Sequence, residues 1–351
     1  MKKDNKKLTV IGVDLGGTKV AIGSVLVNDN SIVCYHNYPT EIESILGVGD
    51  DELIREKFSE KIANLVVKVI EETETKGYEV YHTIGFGSPG NIKNGIIRAK
   101  TTPQFGKAFD DFDIASALAN KISIEGKKKF TVLAYNDALA QMAFGISELV
   151  QHPEYAKVIS NQRVAYIGPG TGLGGGFARV TVTEESSNMR ANLNFFTDGH
   201  IGDIIVGYAE DGTPLWAEFE LLSGMYISKK TNGLTGKDLA ADIDKHLLFI
   251  EELGDNLGRI IFKIYSGDVY KARETTMWSD EDRESVKGIY IFIIGGSIGV
   301  KGRMGEIMRT RAKHYLDNVL GGADSNPIQI IPILSDSAHA GLIGAANFVQ
   351  F

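Results

Sequence analysis

Apolar positions open the chain as three short β-type runs, residues 8–13, 20–27 and 31–35. Gly16-Gly17 separates the first two and Val27-Asn28-Asp29-Asn30 the last two, so three successive antiparallel strands are predicted. From residue 51 to 76 the period changes. Ile54, Phe58, Ile62, Leu65, Val66 and Val69 keep the spacing of one helix face, and Gly77 is placed to end it. Residues 83–86 predict a short strand that runs into Gly87-Ser88-Pro89-Gly90. A helix over 113–121 and a buried strand over 130–135 follow. After Asn136-Asp137 the helical pattern resumes over 138–150.

The second half repeats the theme. Residues 163–167 predict a strand that ends on a glycine-rich run, 168–176, with a return strand at 177–182. A long helical region is expected over 239–266. An apolar strand at 289–294 is capped by Gly295-Gly296-Ser297, and helices at 305–319 and 339–348 close the pattern. Strand, glycine turn with threonine, strand, helices thus occurs twice, near residue 14 and near residue 170. The repeat is one of pattern, since the residues themselves match little.

Composition narrows the classes. A chain of 351 residues exceeds what one core usually serves, so two domains are expected. Net charge −8 and a pI near 5.5 make nucleic acid a poor partner. The single cysteine, Cys34, allows no internal disulfide and no cysteine-cluster zinc site. The opening MKKDNKKLTV is basic but lacks the apolar core and cleavage site of a secretory signal. No apolar run reaches the roughly 18 residues of a membrane span, so no membrane partner and a cytoplasmic location are expected.

The glycines cluster where chemistry is expected. Gly16-Gly17 alone is accounted for by a hairpin turn, since glycine takes positive φ at little cost. Thr18 and Lys19 add a hydroxyl and a cation beside a backbone bare of side chains, as in loops that present amides to phosphate oxygens. The second copy, GTGLGGG at 170–176, has more glycine than a simple hairpin requires. Neither loop fits the Walker pattern, and neither leads directly into a helix as a dinucleotide fingerprint does. The pattern suggests a nucleotide held between two similar domains.

These segments resemble the sugar kinases of the actin-like ATPase superfamily, and within it the ROK family (repressors, open reading frames, kinases), which includes many bacterial glucokinases. The resemblance runs from DLGGTK at 14–19 through YND at 135–137 and GTGLGGG at 170–176 to AGLIGAA at 340–346. It implies an α/β fold of two actin-like ATPase (ribonuclease H-like) domains around a central nucleotide/sugar cleft. A smaller domain would span 1–138 and a larger one 139–338, with the helix in 339–351 packing back on the first. The resemblance also implies ATP and Mg²⁺ as cofactors, a hexose substrate, closure around it, and a homodimer.

Mapped by motif, Asp14 would sit near the Mg²⁺ through water. Gly16, Gly17, Thr18 and Lys19 would form the first phosphate loop and Gly170, Thr171 and Gly172 the second. Gly295 and Gly296 would bound the adenosine pocket. Pro89, Gly90, the Gln104 region and Asn136 would line the sugar site, with Asn136 bonding sugar hydroxyls. Asp137 has two readings from its local sequence: an N-cap pair with Asn136, or a general base anchored at the end of an apolar strand. The family pattern favours the base.

The sequence departs from the family at the sugar motif E-x-G-H, where it has Thr197-Asp198-Gly199-His200-Ile201-Gly202-Asp203. One register sets Gly199-His200 on G-H with Thr197 at the Glu position. The other, slightly preferred, sets His200 at the Glu position and Asp203 at the His position. A surface turn is the alternative to either. The family's cysteine-rich structural zinc is not expected here. Ser223-Gly224 matches a family Ser-Gly, but Phe219 stands where the preceding acid belongs. Glu218 and Glu220 flank it, and Glu220 is the candidate sugar ligand, with an ordinary exposed helix-start acid as its alternative. The remaining histidines (His36, His82, His152, His246, His314 and His339) show no ligand spacing.

The expected function is ATP-dependent phosphorylation of a hexose, glucose leading, with other hexoses and N-acetylhexosamines as alternatives. A family repressor would carry an N-terminal helix-turn-helix, and only seven residues precede the first expected strand. A sugar sensor without catalysis is the third reading, motivated by the altered 197–203 segment.

Overall fold

The computed structural model describes residues 7–349, apart from 42–43, 46–48, 103–104, 186–187, 197–200, 270–279, 300–301 and 336. The chain divides into two compact units. The first comprises Met1–Ser147, Glu185–Asn188 and Asp336–Phe351, and the second Glu148–Glu184 and Met189–Ser335. The division at 147/148 falls inside a helix, where the sequence reading divided the chain at 138.

The first unit is built on β1 (Leu8–Leu15), β2 (Lys19–Leu26), β3 (Ile32–Pro39), β4 (Thr83–Ser88) and β5 (Thr131–Asn136), in the order β3-β2-β1-β4-β5, with a two-residue strand, Glu79–Val80, beside β1. β1–β2 and β2–β3 are antiparallel, whereas β1–β4 and β4–β5 are parallel. Helix α1 (Asp51–Thr75) starts on Asp50, whose carboxylate accepts from the Leu53 amide, and stops before Gly77 at φ 88°. α2 (Ile114–Glu125) is capped in the same way by Asp113.

Strand alternation decides which face packs on what. Ile11, Val13 and Leu15 of β1 and Ile84 and Phe86 of β4 enter one core with Phe58, Ile62 and Val66 of α1 and Leu118 of α2. The opposite face carries Val10, and it packs against Phe144 of α3 (Asp137–Leu149) and Leu342, Ile343 and Ala346 of α9 (Ala340–Ala346).

The second unit has the sheet order β8-β7-β6-β9-β10, made of β6 (Arg163–Pro169), β7 (Leu173–Glu185), β8 (Asn188–Phe195), β9 (Ile291–Ile294) and β10 (Gln329–Pro332). β6–β7 is antiparallel, and β6–β9 and β9–β10 are parallel. The short helices α4 (Ala217–Glu220), α5 (Gly224–Thr231) and α7 (Gly296–Gly299) lie along the chain with the long α6 (Ile243–Ser266) and α8 (Gly302–Val319). Ala165 and Ile167 of β6 share a core with Leu253, Leu257 and Ile261 of α6 and Met308 and Ala312 of α8.

Two expectations change. The predicted helical region over 239–266 is two helices, because the Asp242 carboxylate accepts from the Lys245 amide and starts α6 afresh. The glycine-rich run 168–176 is not one loop. Gly168 belongs to β6, and Gly174, Gly175 and Gly176 pair within β7, leaving residues 170–172 as the turn. Close packing explains a strand glycine there: a Cβ on Gly175 would lie 2.2 Å from Ile201 Cδ1 and 2.5 Å from the Tyr166 carbonyl.

Candidate active site

In the first unit the parallel strands β1, β4 and β5 end side by side. Their carboxyl ends carry Asp14, Ser88-Pro89-Gly90 and Asn136-Asp137. Ligands in open α/β sheets bind beyond such ends.

Asn136 and Asp137 both reach the start of α3. Asn136 Oδ1 accepts from the Ala138 amide, 2.9 Å, so the helix-capping contact across two residues belongs to Asn136. Its Nδ2 donates to the Gly90 carbonyl, 2.7 Å. Asn136 is thereby a brace between the ends of β4 and β5. Asp137 is the first residue of α3, and its Oδ1 also accepts from the Ala138 amide, 2.9 Å. Gly90 has φ 93°, and a Cβ there would meet Thr102 Cγ2 at 2.3 Å.

Asp14 lies on the α9 face of β1. A Cβ built on Gly341 would sit 2.2 Å from Asp14 Oδ2, so the carboxylate rests directly on the backbone of α9. Burial, and then the nearby charge of Asp137, push the Asp14 pKa up to about 6. A buried carboxylate with a second acid near it makes a setting that a cation would relieve. No cluster of three or more His, Cys, Asp or Glu able to hold a metal occurs among the described residues. Mg²⁺ is commonly bound through one or two carboxylates together with waters and substrate phosphates, and the buried Asp14 carboxylate fits such a share.

The first glycine turn joins β1 to β2. Gly16 N donates to Lys19 O, 2.8 Å. Thr40, buried just past β3, donates its hydroxyl to Gly16 O at 3.1 Å and its amide to Thr18 O at 3.0 Å. The second turn, Gly170–Thr171–Gly172, is held in the same sense. Gly170 O accepts from Gly224 N at 2.7 Å, Thr171 O from Met225 N at 3.1 Å, and Gly172 O from Gly170 N at 2.9 Å. Gly16 O and Thr18 O in the first turn, and all three carbonyls of the second, are thus held by hydrogen bonds. Among the described residues, no hydrogen bond of either turn uses the amides of Gly17 and Thr18, or of Thr171 and Gly172. A backbone with its carbonyls occupied and successive amides unspent is suited to receive an anion.

Gly295 and Gly296 follow β9 in the second unit. A Cβ on Gly295 would lie 2.0 Å from the Tyr166 hydroxyl, and one on Gly296, at φ 71°, 2.3 Å from Pro169 O. Packing on the end of β6 accounts for both glycines.

Asp203 is buried, 5% exposed, in the short 3₁₀ turn Ile201–Asp203. Glu220 pairs with Lys229 at 2.9 Å. The acid that reaches the second turn is its neighbour Glu218, whose Oε1 accepts from Leu173 N at 3.1 Å. Gln104 and His200 lie outside the described residues, with the rest of 197–200. Structure adds Thr40 and Gly341 to the candidate residues of the first unit and Glu218 to those of the second. AGLIGAA and Ser223-Gly224 marked two of these neighbourhoods, whereas Thr40 had no signal of its own.

The geometry defines a protein of two α/β units, each with a tethered glycine turn at the end of a leading strand. Residues 10–180 match the model of the ROK family. Over nearly its whole length the chain has the fold of solved ROK proteins. It is similar to a ROK hexokinase from Thermus thermophilus at 18% identity and TM-score 0.60, covering 97% of each chain. A ROK family glucokinase from Streptomyces griseus, solved with glucose and AMPPNP, is 20% identical at TM-score 0.55 over 97% of this chain and 98% of that one. A ROK family transcriptional regulator, described as a homolog of the Escherichia coli MLC protein, is 13% identical at TM-score 0.61 over 98% of this chain and 78% of that one. No curated protein matches the sequence. The sequence thus matches the ROK family model over residues 10–180, and the chain shares the fold of solved ROK proteins over nearly its whole length. No helix of the described residues is long and apolar enough to cross a membrane.

Proposed function

We propose that the chain is an ATP-dependent hexose kinase, with glucose as the leading substrate. The observation that carries this is the pair of glycine turns whose carbonyls are tethered and whose amides are unspent, one beside the carboxylates Asp14 and Asp137. Phosphoryl transfer asks little covalent chemistry of a protein; it needs positioning, neutralisation of phosphate charge and a group that takes the hydroxyl proton. In this reading the amides of Thr171, Gly172, Gly17 and Thr18 bind phosphate oxygens, and Gly295-Gly296 border the adenosine. Gly90, braced by Asn136, and Asp203 shape the sugar site. Asp137 takes the proton from the attacking hydroxyl. Magnesium, held by Asp14, would supply neutralisation of phosphate charge.

ADP release with a panel of hexoses and N-acetylhexosamines tests the proposal. One sugar should elicit turnover, and Asp137→Ala should lower it by about 10²–10⁴-fold, the range of a lost general base. The panel would reject the kinase if no sugar elicits Asp137-dependent turnover. The likeness to a ROK regulator favours a second reading, a sugar-responsive protein without catalysis. That reading gains if a sugar raises the melting temperature and none releases ADP.

A further inference from the structure

We propose that Glu218 is a positioning residue for the second glycine turn, setting the shape in which it receives nucleotide phosphate; this rests on the kinase reading above. Residues 218–225 converge on residues 170–173 through a set of tethers. The Glu218 carboxylate accepts from the Leu173 amide at 3.1 Å. Gly224 N reaches Gly170 O and Met225 N reaches Thr171 O. Ser223 Oγ closes the set by donating to the Glu218 carbonyl at 2.5 Å, which fixes α4 against the start of α5. Glu218 is the one side chain in the set that bonds the turn segment itself, and it takes the amide next after those of Thr171 and Gly172. Its Oε1 also lies 2.3 Å from where a Gly172 Cβ would stand, so the carboxylate fills the space that a side chain at 172 would need.

Charge and geometry oppose one another at this position, and that separates the roles. A carboxylate beside a phosphate site repels the ligand, so its charge gives no reason for its place. Its acceptor does: the carboxylate oxygen gives the Leu173 amide a hydrogen-bond partner beside the turn. Without that hold, Leu173 N–H loses its partner and the turn gains freedom that binding must then remove. Glutamine retains the acceptor and discards the charge, whereas alanine discards both.

The experiment is calorimetric binding of ADP to the full-length protein, which needs no turnover, with melting temperatures as a check of folding. Glu218→Ala should weaken ADP about tenfold, the scale of one lost hydrogen bond. Glu218→Gln should bind within about twofold of wild type or tighter, since the acceptor survives and the repulsion is gone. Where a hexose is turned over, Glu218→Ala should raise the KM for ATP and leave the KM for the sugar unchanged. Gly172→Ala breaks the same contact from the other side. In the Glu218→Ala background it should cost less than it does alone, because coupled residues are not additive. Equal ADP affinity in Glu218→Ala and wild type overturns the proposal, as does Glu218→Gln binding as weakly as Glu218→Ala, which would make the charge the active feature. Should wild type bind no ADP at all, the kinase reading itself fails, a different result from either.

Discussion

At the residue scale the site turns on how Asp14 and Asp137 share one unit. Asp14 is an acid whose pKa in the fold, about 6, stands above its ordinary 3.8 because it is buried and because Asp137 lies near. The folded chain thus binds this proton more readily than the unfolded chain does. The ionised carboxylate costs stability above pH 6, and that cost fades as pH falls through 6 towards 3.8. Asp14→Asn removes the titrating group while keeping the shape. In metal-free protein it should raise the melting temperature at pH 8, and the gain should shrink to nothing near pH 4. Thermal melts of both proteins across that range provide the check. A gain of the same size at both ends would mean that packing, and not charge, sets the cost. The price of holding an ionised Asp14 is a cost in stability that a cation brought by the substrate can offset.

At the scale of elements, the strands of the first unit show why glycine alternates with large apolar residues. β1 places Ile11, Val13 and Leu15 against α1, and Gly12 against α9, where a Cβ would lie 2.2 Å from the Leu342 carbonyl. β4 repeats this: Ile84 and Phe86 face α1, and a Cβ on Gly85 would meet the Ala345 carbonyl at 1.7 Å. α9 thus packs backbone against backbone. It meets α3 in the same way, since a Cβ on Gly344 would sit 1.7 Å from Ala140 O. Gly85→Ala should cost about 2–3 kcal/mol of stability, the usual penalty of overpacking a tight interface, and it should loosen α9 first. Urea melts would measure the cost, and limited proteolysis would show earlier cleavage near residue 340. A melt unchanged from wild type would sink the account. This scale was partly legible beforehand. Residues 51–76 announced α1 and its stop at Gly77, because period and cap are local signals. GTGLGGG suggested one long loop, because a glycine required by a tertiary neighbour looks the same in sequence as a glycine required by a turn. Thr40 could not be read at all, and Glu218 was passed over for Glu220, since their partners lie 24 and 45 residues away.

At the scale of the whole molecule, the pattern repeat near residues 14 and 170 proves to be a repeat of topology. Both sheets place a leading strand beside its antiparallel hairpin partner and add two parallel strands on the other side. Each leading strand ends in a tethered glycine turn. The residues differ because the tethers differ: a threonine past β3 serves one turn, and the segment 218–225 the other. In the proposed function the second turn takes nucleotide phosphate and the strand ends of the first unit take the sugar, and amide exchange followed by mass spectrometry can separate these duties. The amides of Thr171 and Gly172 make no hydrogen bond among the described residues, so they should exchange fast in the free protein. ADP should slow them and leave the segment around residue 90 unchanged. A hexose substrate should do the reverse, protecting the amides near Gly90 and Ala138, where Asn136 braces β4 to β5. Both ligands together should protect both sets. If ADP protected the Gly90 segment alone, or neither set, the assignment of nucleotide phosphate to the second turn would fail, while the sugar assignment would stand or fall on its own arm.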